Sequence, residues 1–286
     1  MTLHNVYKRE RQSVKMMKPS AKSFVMTERD IEIIRLIHAC GWLNTTQIIK
    51  VMFPPANEKP YQLDSAQGQR RLKHLRLDGF LTSTVPLMEM GKGKESHIYS
   101  AGRRAYDTEI IELPVIPRPE VWTKYYRHEK AIRDVFTDIL RASVIAGVSM
   151  PTFKSTRQLK AETTAYIPDW YMSLAFDSGN PYHIFLEVDR GEETQSQWRR
   201  KITAINDYCN SEVYQSVYVH YRARWITIAP TEARMQSLIE WTEAEQGKSR
   251  FWFTTFDKLN PCTALTEPIW MVCGQQGLHH LAKTRA

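Results

Sequence analysis

Apolar residues recur along this chain at helical spacings in some stretches and at every second position in others, and the changes of period mark out the elements. Thr27 ahead of Glu28, Arg29 and Asp30 is a helix start, a hydroxyl cap with an acid at the third helical position. Ile31, Ile33, Ile34, Leu36 and Ile37 follow as a broad apolar stripe, and Gly41 stops the helix. Asn44 caps a second, short helix from Thr45 to Phe53, which Pro54-Pro55 ends. A third helix is predicted from Ser65 to about Asp78. At roughly 100° per residue, Leu72, Leu75 and Gly79 fall on one side, and Gln67, Arg70, Lys73 and His74 on the other. Arg71 and Arg76 lie on its flanks. Beyond Gly79-Phe80, Leu81 to Met88 and Ser96 to Ser100 read as the arms of a hairpin turned by Gly91-Lys92-Gly93-Lys94.

Pro114, Pro117 and Pro119 break the periodicity and mark a linker over 105–119. A long helix is predicted from about Val121 to Ala146, with Tyr125, His128, Ile132, Val135 and Ile139 on its buried face and Glu129 at that face's edge. Extended pieces follow at Thr152–Ser155 and Thr164–Phe176, then the apolar strand from His183 to Asp189. A helix from Thr194 to Cys209 buries Trp198, Ile202, Ile205 and Cys209, with Lys201 on its flank. Trp225–Ala229 reads as a strand, Pro230-Thr231-Glu232 opens a helix to about Gln246, and Phe251–Phe256 is the last strand. Helices alternating with apolar strands predict a central mixed sheet covered by helices. The division that follows is a flexible arm over 1–23, a first domain over 24–104, the linker, a second domain over 120–275 and a tail over 276–286.

Composition narrows the class. Over 286 residues, 42% of them apolar, the chain can bury a sizeable core and is not disordered throughout. No window approaches the roughly 18 consecutive apolar residues of a membrane span, and no apolar segment follows the basic N-terminus as in a secretory leader. Cys40, Cys209, Cys262 and Cys273 lie far apart and form no metal or disulfide pattern, which fits a reduced, cytoplasmic protein without a membrane partner. The net charge of +8 favours a polyanionic partner. Lys8, Arg9, Arg11, Lys15, Lys18 and Lys22 face only Glu10 within the first 22 residues, so the arm itself is basic.

Three helices followed by a basic hairpin is the order of a winged helix-turn-helix. On that reading Gln67, Arg70, Arg71, Lys73, His74 and Arg76 present the major-groove face, where Arg and Gln read base edges and the remainder hold phosphates. Lys92 and Lys94 at the hairpin tip suit the phosphate backbone. The implied partner is double-stranded DNA. A homodimer is a further partner this reading admits.

In the second domain the candidate chemistry is acidic. Asp169 follows Pro168, while Glu187 and Asp189 close an otherwise apolar strand and, two residues apart, project to one face. Carboxylates converging from neighbouring strands suit Mg²⁺ or Mn²⁺, and Lys201 could stabilise charge developing on phosphorus. Ile167-Pro168-Asp169, the run Phe185-Leu186-Glu187-Val188-Asp189-Arg190-Gly191-Glu192-Glu193-Thr194, and then Lys201 and Tyr208 resemble the replication-relaxation family of plasmids and other mobile elements. The His128-Glu129 helix fits the same resemblance. It implies a PD-(D/E)xK nuclease-like fold in the second domain, and replication or mobilisation proteins as possible partners. Asp169 and Glu187 would be the metal-binding acids and Glu129 an additional acid on the first helix. The departure is Asp189, which stands where that pattern has lysine; Lys201 is either a relocated catalytic lysine, a surface residue or a DNA contact. Three functions stay open: a DNA binder with a nuclease-like platform or clamp, a Mg²⁺-dependent endonuclease or nickase using Asp169, Glu187, Asp189, Lys201 and Glu129, and an interaction scaffold that does not touch DNA.

Overall fold

The computed structural model describes residues 25–53, 65–86, 96–111, 125–162, 166–175, 181–218 and 223–282. They fall into two compact units, one ending at Glu129 and the other running on from Lys130.

The first unit grows from two capped helices. In α1 (Glu28–Ala39) the Thr27 hydroxyl caps the Asp30 amide while the Asp30 carboxylate returns to the Thr27 amide. Asn44 and Gln47 repeat this box at the start of α2 (Thr45–Met52), directly after the short strand β1 (Leu43–Asn44). Each box satisfies orphan donors of a first turn and so fixes where the helix begins. Gly41 ends the first helix with φ 75°, a left-handed conformation that a side chain would strain. α3 (Ser65–Leu77) matches its expected span and buries Leu72 and Leu75. The third member of its buried side is Gly68, not Gly79, which lies beyond the helix. A Cβ on Gly68 would stand 2.8 Å from Ile49 Cγ1, so only glycine lets α3 approach α2 this closely.

The hairpin arms are shorter than expected: β2 (Leu81–Thr84) pairs antiparallel with β3 (Ile98–Ala101), and β3 also pairs with β1. The sheet order is therefore β1-β3-β2. The turn at 91–94, with Lys92 and Lys94, lies outside the described residues. α4 (Arg103–Asp107) follows, and Ile110 and Ile111 are buried, so residues 105–111 belong to the packed unit where a linker was expected.

The second unit is a mixed sheet with helices against it. α5 (Tyr126–Ile145) leads into β4 (Ser149–Ser155), α6 (Thr156–Glu162), β5 (Trp170–Ala175) and β6 (Tyr182–Val188). Then come α7 (Gln195–Asn210), α8 (Glu212–Tyr218), β7 (Ala223–Ala229), α9 (Glu232–Ala244), β8 (Phe251–Thr255), β9 (Pro268–Val272) and β10 (His279–His280). The seven strands lie in the order β10-β9-β8-β7-β6-β5-β4. β6, β7 and β8 are mutually parallel, and the remaining pairs are antiparallel. The parallel core follows from the two crossovers through α7–α8 and α9, because parallel neighbours need a connection long enough to return.

Side chains alternate across this sheet. Phe185 packs with Trp225, Phe251 and Phe253 against Trp198, Ile202 and Ile205 of α7 and Leu238 of α9. On another part of the sheet Trp170 meets Phe136 of α5 with ring centroids 4.7 Å apart. Several details differ from the sequence expectation. Tyr125 precedes α5 and is exposed rather than buried. α6, α8, β9 and β10 were not anticipated, and the expected tail contains β10 and the buried Leu281 and Ala282. Short pieces of this kind carry too few residues for periodicity to reveal them.

Candidate functional site

The acids of the second unit meet because of strand register. Trp170 of β5 pairs with Leu186 of β6, so one step beyond that pair Asp169 comes opposite Glu187. The alternation that directs Phe185 toward α7 directs Glu187 the same way. Asp169 Oδ2 accepts the Val188 amide at 2.8 Å, which ties the two strands together at this point. Both Glu187 oxygens are engaged: Oε1 accepts the Tyr166 hydroxyl at 2.7 Å and Oε2 accepts Lys201 Nζ at 3.1 Å.

Lys201 arrives from α7, whose start Thr194 fixes with a capping box to Gln197. One turn after the buried Trp198, its ammonium lies 5.1 Å from that ring's centroid and donates to Glu193 Oε1 at 2.5 Å. Burial pushes the Glu187 carboxyl up to about 7, Lys201 pulls against that, and the nearby Asp169 charge adds to it. Burial alone would lower the Lys201 value, but Glu187 and Glu193 outweigh it and hold the ammonium above the ordinary lysine value. Tyr166 keeps its proton well above the ordinary tyrosine value, through burial first and the Glu187 charge second.

Asp189 does not join this cluster, contrary to the expectation that it would share a site with Glu187. It lies just past β6, and its carboxylate takes a paired contact from Arg234 of α9 at 2.8 and 2.9 Å, plus the Gly191 amide at 3.1 Å. Arg234 also donates to the Glu193 carbonyl at 2.7 Å. The fully buried Asp189 side chain is thus neutralised inside the fold, as a buried charge must be. Glu129 is half-buried in the first turn of α5 and belongs to the first unit; the surroundings of Glu187 are built by Tyr166, Lys201 and Asp169.

Among the described residues no group of three or more His, Cys, Asp or Glu side chains is arranged to hold a metal ion. Asp169 and Glu187 alone could supply two ligands to Mg²⁺, which keeps several waters. The donor set does not fit that ion as it stands, because Lys201 caps one Glu187 oxygen and Tyr166 the other.

The cationic side of α3 is exposed at Gln67, Arg70, Lys73, His74 and Arg76, opposite the buried Gly68, Leu72 and Leu75. Arg70 Nε also reaches the Ala66 carbonyl at 3.2 Å, lying along its own helix. Arg71 departs from the expected groove-facing role. Its guanidinium is paired with the fully buried Asp30 of α1 and donates to the Val25 carbonyl at 2.9 Å. Asp30 already serves the α1 cap, and a buried carboxylate requires a counter-charge, which Arg71 provides.

Sequence reasoning missed Tyr166, Glu193 and Arg234. Glu193 lies within the Glu187–Thr194 run and could have been read there. Nothing local distinguishes Tyr166 or Arg234, whose partners lie 21 and 45 residues away.

Among the described residues these features define two units: one has a seven-stranded mixed sheet with helices and carries a paired, buried acidic cluster, and the other has helices and a three-stranded sheet. The chain belongs to the replication-relaxation family, whose description matches residues 34–220. No curated protein matches this sequence. Among solved structures the chain is weakly similar to the restriction endonuclease FokI, at 12% identity and a TM-score of 0.27. That match covers 79% of this chain and 41% of the FokI chain. No described helix is long and apolar enough to cross a membrane.

Proposed function

We propose that this chain is a duplex-DNA-binding replication protein of a plasmid or other mobile element. Its first unit acts as a winged helix-turn-helix and lays α3 in the major groove, while the second unit is a nuclease-like platform or clamp that does not cut. The observation that carries this reading is the division of α3 into a buried Gly68–Leu72–Leu75 back and an exposed Gln67, Arg70, Lys73 and His74 front. Such a front suits base edges and phosphates together. Fluorescence anisotropy on duplex DNA across a salt series tests it. Affinity should fall with salt, and the slope should shrink by about one for each phosphate contact removed by Arg70→Ala or Lys73→Ala. Absence of salt-dependent binding to any duplex would replace this reading with a protein-interaction scaffold.

A second reading, Mg²⁺- or Mn²⁺-dependent DNA cleavage, is favoured by the approach of Lys201 to Glu187 beside Asp169. Incubation with supercoiled plasmid and either metal decides between the two. Nicking by the wild type that disappears in Asp169→Ala would establish the endonuclease; persistence of the supercoiled form supports the platform.

A further inference from the structure

We propose that Lys201 is the resident cation of the Asp169–Glu187 pocket, occupying with its ammonium the place a divalent ion would need, so that the second unit neutralises its own acids without metal. The inference rests on the platform reading of that unit.

The geometry leaves Lys201 little freedom. Its Nζ is held between Glu187 Oε2 at 3.1 Å and Glu193 Oε1 at 2.5 Å, with Trp198 beneath it. The capping box at Thr194 fixes the start of the helix that carries it. Glu193 is placed in turn by Arg234, which grips the Glu193 carbonyl and the Asp189 carboxylate together. Asp189, at the position where the nuclease-like pattern has lysine, is therefore a clamp on the loop that aims Glu193.

Electrostatics points the same way. Two buried or half-buried carboxylates surround one ammonium, and their attraction keeps it charged despite burial. A divalent ion reaching Glu187 would meet this fixed positive charge at contact distance in a site of low dielectric, where like charges repel strongly. One oxygen is already placed to receive a cation if the ammonium is removed: Glu193 Oε2 is buried without a hydrogen-bond partner. Together with Glu187 Oε2, freed of Lys201, it would offer hard oxygen ligands of the kind Mg²⁺ and Mn²⁺ accept, with water at the remaining positions.

The test is Mn²⁺ titration of the full chain followed by calorimetry. The wild type should show no saturable uptake into the millimolar range. Lys201→Met should bind one Mn²⁺ roughly 100-fold tighter or more, as removal of a like charge at contact distance implies. Glu187→Gln added to Lys201→Met should abolish that gain. Wild-type binding as tight as that of Lys201→Met, or no binding by Lys201→Met, would overturn the proposal. Should Lys201→Met fail to fold, NMR of the wild type still decides. Paramagnetic broadening of the Glu187, Val188 and Lys201 amides by Mn²⁺ would refute the resident-cation role, and unbroadened signals uphold it. Duplex affinity measured on the same samples reports on the proposed DNA-binding function separately, because that function depends on α3 and not on this pocket.

Discussion

Arg70, Lys73 and Arg76 carry their charge into water from one face of α3, whereas Glu187 and Asp189 are buried and each meets a cation supplied by a helix, α7 for the first and α9 for the second. The first arrangement costs little to alter, since exposed charges contribute little to stability. It leaves those side chains available to a polyanion. The second arrangement cannot be altered cheaply. Taking one member from a buried pair strands the other in a low-dielectric interior. Arg71 shows how sharp the boundary is: it adjoins Arg70 in sequence, yet it turns inward to neutralise Asp30. A cation's role here is set by whether a buried acid lies within its reach.

Asp189→Ala should break the contrast most severely. It leaves the Arg234 guanidinium with only the Glu193 carbonyl among the partners described above, and should cost about 3–5 kcal/mol, read as a drop in the urea midpoint. An unchanged midpoint would mean the pair is structurally idle. Gly68→Ala comes next: a methyl driven against Ile49 should cost about 1–3 kcal/mol by the same measurement. A neutral outcome would show that α2 and α3 can separate without penalty.

Arg70→Ala and Lys73→Ala sharpen the comparison from the other side, because each should shift stability by less than about 0.5 kcal/mol while weakening duplex binding. A loss of stability as large as that of Asp189→Ala would place these residues in the structural class. The smallest effect concerns His183, whose burial lowers its affinity for a proton below the ordinary histidine value. A depressed value means the neutral ring is favoured in the fold. Its stabilisation is therefore present above about pH 6.5 and lost as pH falls through the lower folded value. Urea midpoints compared between pH 8 and 5 should decline more steeply for the wild type than for His183→Phe. Parallel curves would remove His183 as a source of that pH dependence.

Much of the helical framework was legible because caps are local. Thr27 and Asn44 cap their helices as expected, Thr194 and Thr231, read as part of helix openings, prove to be caps as well, and each side chain bonds into the following turn. The strand from His183 was legible from its apolar run, and the facing of Glu187 followed from alternation. The approach of Asp169 to Glu187 was anticipated as converging strand carboxylates and through the family resemblance, but its geometry depends on β5–β6 register, which spacing does not give. The partner of Lys201 could not be read at all: the same residue on the same helix flank would suit solvent, DNA or a buried acid.

The order of amino acids by itself determined where the helices start, which face of each is apolar, and that a cationic helix precedes an α/β region carrying a group of candidate acids. Those properties depend on interactions across a few residues, where spacing is enough. Which charges are neutralised inside the fold was decided only in three dimensions. Asp189 found Arg234 across 45 residues, and Glu187 found Lys201 across 14. Desolvation gives such pairings their force, and it exists only after strands and helices have closed around them.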